Sequence, residues 1–221
     1  MRDRIATACD RVSRDPAGVR LIGVSKTRPA ADVRAAFAAG LTDFGENRVQ
    51  EAEAKSAELA DLRAHGLRWH LIGHLQANKA KKAASLFDAV HSVDEAALAE
   101  RLARAAEGEG RLLPVLVQVD LAGEETKFGL AEEHLMSTLQ AMQSHASLRV
   151  AGLMVLPPYA DDPEAARPYF QQLRDLRDRA SAFGLLAGGE LSMGMSHDFE
   201  VAIEEGATMV RVGTALFGER G

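Results

Sequence analysis

Short apolar runs alternate with longer stretches of helical spacing from one end of the chain to the other. The runs read as strands are VRLIGVS at 19–25, TDFGEN at 42–47, RWHLIG at 68–73 and AVHSVD at 89–94. They continue with LPVLVQVD at 113–120, RVAGLMVL at 149–156, ELSMGMS at 190–196 and TMVRVG at 208–213. Between them lie helical patterns at 30–39, 48–64, 78–87, 95–107, 131–143 and 163–183. Apolar positions three and four apart mark the helices, and brief runs bounded by turn residues mark the strands. Strand then helix, repeated with short turns, predicts parallel strands joined by right-handed crossovers.

Eight such units predict a single α/β domain over 1–221, closed as a (β/α)₈ barrel. A further helix at about 2–14 precedes the first strand and is expected to cover the outside of the barrel. An open doubly wound sheet is the rival. Its usual fingerprint, a Gly-rich turn after the first strand, is missing, since SKTRPA at 25–30 has no glycine.

Chemistry in such barrels gathers where strands end and βα loops begin. The predicted ends carry Ser25 and Lys26, Glu46 and Asn47, His70 and the following His74, then Ser92 and Asp94. Gln118 and Asp120, Met154, Ser196 and His197, and Arg211 with Gly213 and Thr214 complete the circuit. A polar ring around one mouth predicts a ligand pocket. Solvent contact explains any single polar end, but not Arg211, which sits between Val210 and Val212. The turns MGMSHDF and RVGTALF each place glycine and a hydroxyl before a helix start, the setting a phosphate needs. Ser196 and Thr214 also read as plain helix N-caps. Lys26 stands at the same mouth. An amine beside a phosphate site suits a Schiff base with an aldehyde or ketone, on a cofactor or on a sugar phosphate. The other lysines read as solvated: Lys55 on a helix face, Lys79, Lys81 and Lys82 in a helix start. Lys127, in a loop at the mouth, is a weaker second candidate.

Composition narrows the partners. Apolar residues are 47% and charged residues 26%, ordinary for a globular protein, and the net charge of -6 argues against a nucleic-acid binder. The lone cysteine, Cys9, cannot form an internal disulfide and reads as a small buried side chain in a cytoplasmic protein. The N-terminus is too charged for a secretory signal, and no apolar run approaches the about 20 residues of a membrane helix. The seven histidines lack the short spacing of a metal site.

VSK at 24–26, FGENRVQE, WHLIGHLQANK, HSVD, LVQVD, GLMVL, LSMGMSHDFEVAIEEG and VRVGTALFG together resemble the pyridoxal phosphate homeostasis protein family, over about residues 21–218. The resemblance implies a single barrel similar to the N-terminal domain of alanine racemase. It implies pyridoxal 5'-phosphate (PLP) held as an imine of Lys26, with no established catalysis, in a protein that keeps PLP and vitamin B6 in balance. It further implies phosphate loops at Ser196 with Met195 and at Gly213 with Thr214, Arg211 facing the pyridine nitrogen, and Asn47 near the ring substituents. A monomer and PLP-requiring acceptor enzymes as partners belong to the same expectation. Arginine at that nitrogen disfavours a pyridinium and so gives a weaker electron sink. The chain reads as having no room for the second domain that supplies an acid or base in racemases. A PLP-dependent racemase or decarboxylase, with Tyr159, Tyr169, His70 or His74 as base, is the alternative, and a lysine aldolase a third.

Overall fold

A computed structural model describes residues 1–123 and 128–218. Its first half runs α1 (Arg2–Arg11), β1 (Arg20–Val24), α2 (Ala30–Ala38), β2 (Asp43–Glu46), α3 (Val49–Glu58), α4 (Ala60–Ala64), β3 (Arg68–Leu71) and α5 (Ala80–Leu86). Then come β4 (Ala89–Val93), α6 (Ala96–Gly108), β5 (Leu113–Asp120), the two-residue β6 (Leu130–Ala131), α7 (Leu135–Met142) and β7 (Leu148–Met154). The last units are α8 (Arg167–Ala182), β8 (Glu190–Ser192), α9 (Phe199–Glu204), β9 (Met209–Val212) and α10 (Thr214–Phe217). The ring order is β4-β3-β2-β1-β9-β8-β7-β5, and β5 pairs back onto β4. All pairings are parallel, so the sheet closes into the expected barrel, with β6 appended to the end of β5 outside the ring.

Strand alternation sorts side chains between two environments. Phe44, Trp69, Leu71, Val90, Val115, Val117, Leu191, Val210 and Val212 point outward into the main core beneath the helices. Their neighbours point into the lumen. Leu116, Ala151 and Met154 form a separate apolar cluster there. Asp43, His70, His91, Ser192 and Arg211 are polar residues of the lumen, each at most 3% exposed. An antiparallel-style half-solvated sheet cannot explain them, because both faces of a closed parallel barrel are dry.

Several boundaries differ from the sequence reading, the helix read at 131–143 among them, which begins only at Leu135 after β6; three have a visible physical cause. The seventh barrel strand stops at Ser192 instead of running to Ser196. Gly194 turns the chain there with φ +89, and a Cβ on it would lie 2.6 Å from Ala202 Cβ. The stretch 48–64 is two helices, broken at Leu59, whose φ of -115 and ψ of 25 leave the helical region while its side chain is buried. The first helix ends at Arg11, ahead of Ser13 at φ 54. Arg14 then donates to the Ala207 carbonyl at 2.9 Å and to the Ile203 carbonyl, docking α1 beside α9 on the outside of the barrel. Cys9 is fully buried on the inner side of α1. Among the described residues no helix is long and apolar enough to cross a membrane.

Candidate functional site

Lys26 lies just beyond the end of β1, after Ser25, and its loop is held from three sides. The Ser25 N–H donates to the Gly45 carbonyl at 3.1 Å, and the Arg28 N–H returns to the Ser25 carbonyl at 3.0 Å. Thr27 sits at φ 65, a left-handed conformation that costs a β-branched residue about 1–3 kcal/mol and persists only where surroundings impose it. Glu51 imposes it by accepting the Thr27 N–H. Beneath the loop lies Lys55, which the sequence reading placed on a solvated helix face. It is only 6% exposed. Its ammonium donates to the Ser25 carbonyl at 2.6 Å, to Glu46 Oε1 at 2.7 Å and to Glu51 Oε1 at 2.9 Å. Glu46 also accepts from the Ser25 hydroxyl at 2.7 Å, while its Oε2 is buried without a partner. Burial raises the Glu46 carboxyl above its ordinary value despite the Lys55 and Ser25 hydrogen bonds.

The loops after β8 and β9 are joined by one hydroxyl. Ser196 Oγ accepts from the Gly213 N–H at 3.1 Å and from the Ala215 N–H at 3.3 Å. The Gly213 N–H, which the turn pattern leaves open for a ligand, is therefore taken by Ser196. In exchange, both lone pairs of the hydroxyl are engaged and its proton is what it can offer an anion. Asp198 shapes the same turn by accepting the Met195 N–H at 2.6 Å. Thr214 opens α10.

Arg211 reaches the mouth from inside the lumen. It is 2% exposed, and it donates through Nη1 to Ser192 Oγ at 2.6 Å and through Nη2 to the Val155 carbonyl at 2.8 Å. Burial lowers its pKa to about 10, with Asp198 opposing, so it stays a cation at neutral pH.

Lys26, Met195, Ser196, Arg211, Gly213 and Thr214 line one cavity of about 270 Å³ at the carboxyl ends of the strands. Ligand pockets usually span about 300–1,000 Å³, so this one suits a single small molecule. An amine, a buried guanidinium and paired hydroxyls form a donor set that fits a small phosphate-bearing carbonyl compound. Tyr159 stands on the rim, 76% exposed, its ring 5.7 Å from that of His197. Asn47 lines a neighbouring hollow with Arg48, His74 and Lys79 instead. His74 stacks on Phe128 at 3.6 Å and bonds Asp94 at 3.2 Å, while Tyr169 belongs to α8 and does not line the cavity. His70 is buried in the lumen, bonded to His91 and Asp43, away from the mouth. Lys127 lies outside the described residues. Among the described residues no group of three or more His, Cys, Asp and Glu could hold a metal ion.

Sequence reading missed Lys55 and the lumen residues Asp43, His91 and Ser192. The signal that singled out Arg211, a polar residue between apolar ones inside a strand, also marks Ser192 between Leu191 and Met193, but not Asp43, which follows Thr42, or His91, which precedes Ser92.

The family model for the alanine racemase N-terminal domain matches residues 1–221. A pyridoxal phosphate homeostasis protein of Aquifex aeolicus is 45% identical over 218 residues, covering 99% of this chain and 94% of that protein. Its namesake in Pseudomonas aeruginosa is 48% identical over 217 residues, covering 98% of this chain and 91% of that protein. The solved structure of PipY from Synechococcus elongatus with PLP bound superimposes with a TM-score of 0.87 at 45% identity, covering 98% of this chain and 99% of that one.

Proposed function

The chain belongs to the pyridoxal phosphate homeostasis proteins of the alanine racemase N-terminal-domain family, and from that premise we propose that it binds PLP in the Lys26 cavity and serves intracellular PLP balance. The observation that carries the reading is convergence. An amine from the end of β1, a hydroxyl-linked pair of loops after β8 and β9, and a guanidinium from inside β9 meet in one cavity of about 270 Å³. Lys26 holds the cofactor through its carbonyl carbon. The Ser196 hydroxyl and Thr214 seat the phosphate, with Met195 and Gly213 lining the turn beside them. Arg211 meets the ring nitrogen, and Asn47 approaches the ring substituents from the adjoining hollow.

When bound, PLP supplies a carbonyl for amines and an electron-withdrawing ring. Arg211, a cation at neutral pH and bonded on two sides, donates to that ring and does not protonate it. The described cavity lining also includes Tyr159 and His197, both exposed. In this reading the protein is a reversible carrier that releases PLP to acceptor enzymes, works as a monomer in the cytoplasm, and turns over no amino acid. Its curated relatives carry homeostasis names, not enzyme names.

The test is reductive trapping. Protein mixed with PLP should gain a visible absorption band, and borohydride should fix the cofactor on the peptide containing Lys26, with Lys26→Ala abolishing both. Label elsewhere, or none, refutes the site. Exchange of α-protons in heavy water across a panel of amino acids would refute the carrier reading in favour of a racemase or decarboxylase.

A further inference from the structure

A continuous chain of side-chain hydrogen bonds crosses the barrel lumen and ends on Arg211. Asp43 Oδ1 bonds His70 Nε2 at 2.9 Å, and His70 Nδ1 bonds His91 Nε2 at 2.9 Å. His91 Nδ1 bonds Ser192 Oγ at 2.9 Å, and Ser192 Oγ accepts from Arg211 Nη1 at 2.6 Å. The link from His91 on β4 to Ser192 on β8 joins strands that are not neighbours in the ring, so it spans the lumen. Its two ends line different cavities. Arg211 faces the site mouth, and Asp43 lines a hollow at the amino ends of β1, β2 and β3 with Arg2, Arg20 and Arg68.

The chemistry of the ends fixes the two outer bonds, and neutral rings between them carry one direction through the whole chain. A guanidinium only donates, and a carboxylate only accepts. Arg211 therefore donates to Ser192, whose hydroxyl donates to His91 Nδ1. His91 donates from Nε2 to His70 Nδ1, and His70 donates from Nε2 to Asp43. That direction requires two neutral imidazoles of one tautomer, each with its proton on Nε2. The surroundings agree. Burial drives the His91 pKa well below its ordinary value, which keeps that ring neutral. Burial alone would raise the Asp43 pKa, but hydrogen bonds from His70, Arg68 and Thr42 hold it well below the carboxylate range. Arg68 grips that carboxylate with two bonds, at 3.0 and 2.8 Å, and Arg20 lies 3.9 Å away.

We propose that Asp43, His70, His91 and Ser192 are positioning residues for Arg211, holding its guanidinium in the orientation that presents it to the ring nitrogen of PLP. The proposal rests on the cofactor reading above. A polarised chain between a fixed anion and a cation makes that orientation a property of the whole lumen. Removing a link leaves the guanidinium's charge in place and frees its plane.

Two measurements test this. In cofactor-free protein labelled with ¹⁵N-histidine, the ring nitrogens of His70 and His91 should report protonated Nε2 and bare Nδ1 at neutral pH. The opposite tautomer, or an imidazolium, at either residue overturns the proposal. In PLP-loaded protein, Ser192→Ala removes one oxygen and cuts the chain beside Arg211. It should move the visible band and the pH at which that band titrates, and should speed PLP release about tenfold, with borohydride still labelling Lys26. His91→Phe should do the same, and Ser192→Thr, which keeps the hydroxyl, should restore wild-type behaviour. Label on Lys26 with an unmoved band, titration and release rate in both cut variants overturns the positioning role alone. Absence of label on Lys26 in the wild type overturns the cofactor reading and this inference with it.

Discussion

Replacing Lys55 with methionine keeps the length of the side chain and removes its charge. All three ammonium hydrogens are in use, on the Ser25 carbonyl and on two carboxylates at 2.6–2.9 Å. After Lys55→Met, Glu46 is a fully buried carboxylate whose sole described side-chain partner is the Ser25 hydroxyl. Breaking a buried pair from one side costs about 3–5 kcal/mol, since the remaining charge is stranded. With a urea slope of roughly 2.5 kcal/mol/M for a domain of this size, about 4 kcal/mol lowers the midpoint by roughly 1.5 M. Adding Glu46→Gln removes the stranded charge, and the double variant should recover about 2 kcal/mol of the loss. The pH trend has a definite sign. Glu46 already titrates above its ordinary value in the folded protein because of burial. Its ionised form is the disfavoured one, so stability falls as pH rises from the unfolded pKa to the folded one and is flat above. Losing Lys55 raises the folded value further, so the penalty should be larger near about pH 8 than near about pH 5, where Glu46 takes a proton. Urea titrations of the three proteins at both pH values decide the matter. A single variant within about 1 kcal/mol of wild type, or a double variant no more stable than the single, would refute the clamp.

Other expectations are briefer. Ser196→Ala should loosen the joined loops and weaken PLP binding about tenfold, a change of about 1.4 kcal/mol, in a fluorescence titration, with the Lys26 label retained. Asp43→Asn should flatten the acid limb of the stability curve. The depressed pKa means Asp43 stabilises the fold above about pH 3.9, and that contribution is lost as pH falls through the lower folded value, so thermal melts of wild type and variant should converge in acid. Gly152→Ala should cost about 3 kcal/mol or more in urea unfolding, because its Cβ would sit 1.9 Å from the Glu190 carbonyl oxygen, a backbone atom that cannot step aside.

The barrel was legible in the sequence because eight apolar runs in βα units leave few other closures. The mouth was legible through Lys26, Ser196, Gly213 and Thr214, which fall where a parallel strand hands over to a loop, and these the structure gathers into one cavity. Lys55 was not. Its helix also carries Glu51 and Glu53, so the local pattern reads as a solvated charge stripe, and only the fold shows Glu46 and the Ser25 carbonyl arriving beneath it. The lumen chain was hidden for a related reason. Asp43, His70, His91 and Ser192 come from four strands, and nothing in one strand says which polar residue will face which across a closed ring. Asn47 lining the adjoining hollow follows from Gly73, whose missing side chain lets the Asn47 backbone come close, with a Cβ there only 2.4 Å from the Asn47 oxygen.

The Ser196 hydroxyl ties two loops together without help from any guest. A socket tied in advance demands little rearrangement on entry or exit, so under the proposed function the tempo of loading and unloading is set by the exchange of one carbon–nitrogen bond at Lys26. On that proposal occupancy answers to the supply of competing free amines around the protein, and a cell that grows rich in amino acids would empty the site by chemistry alone.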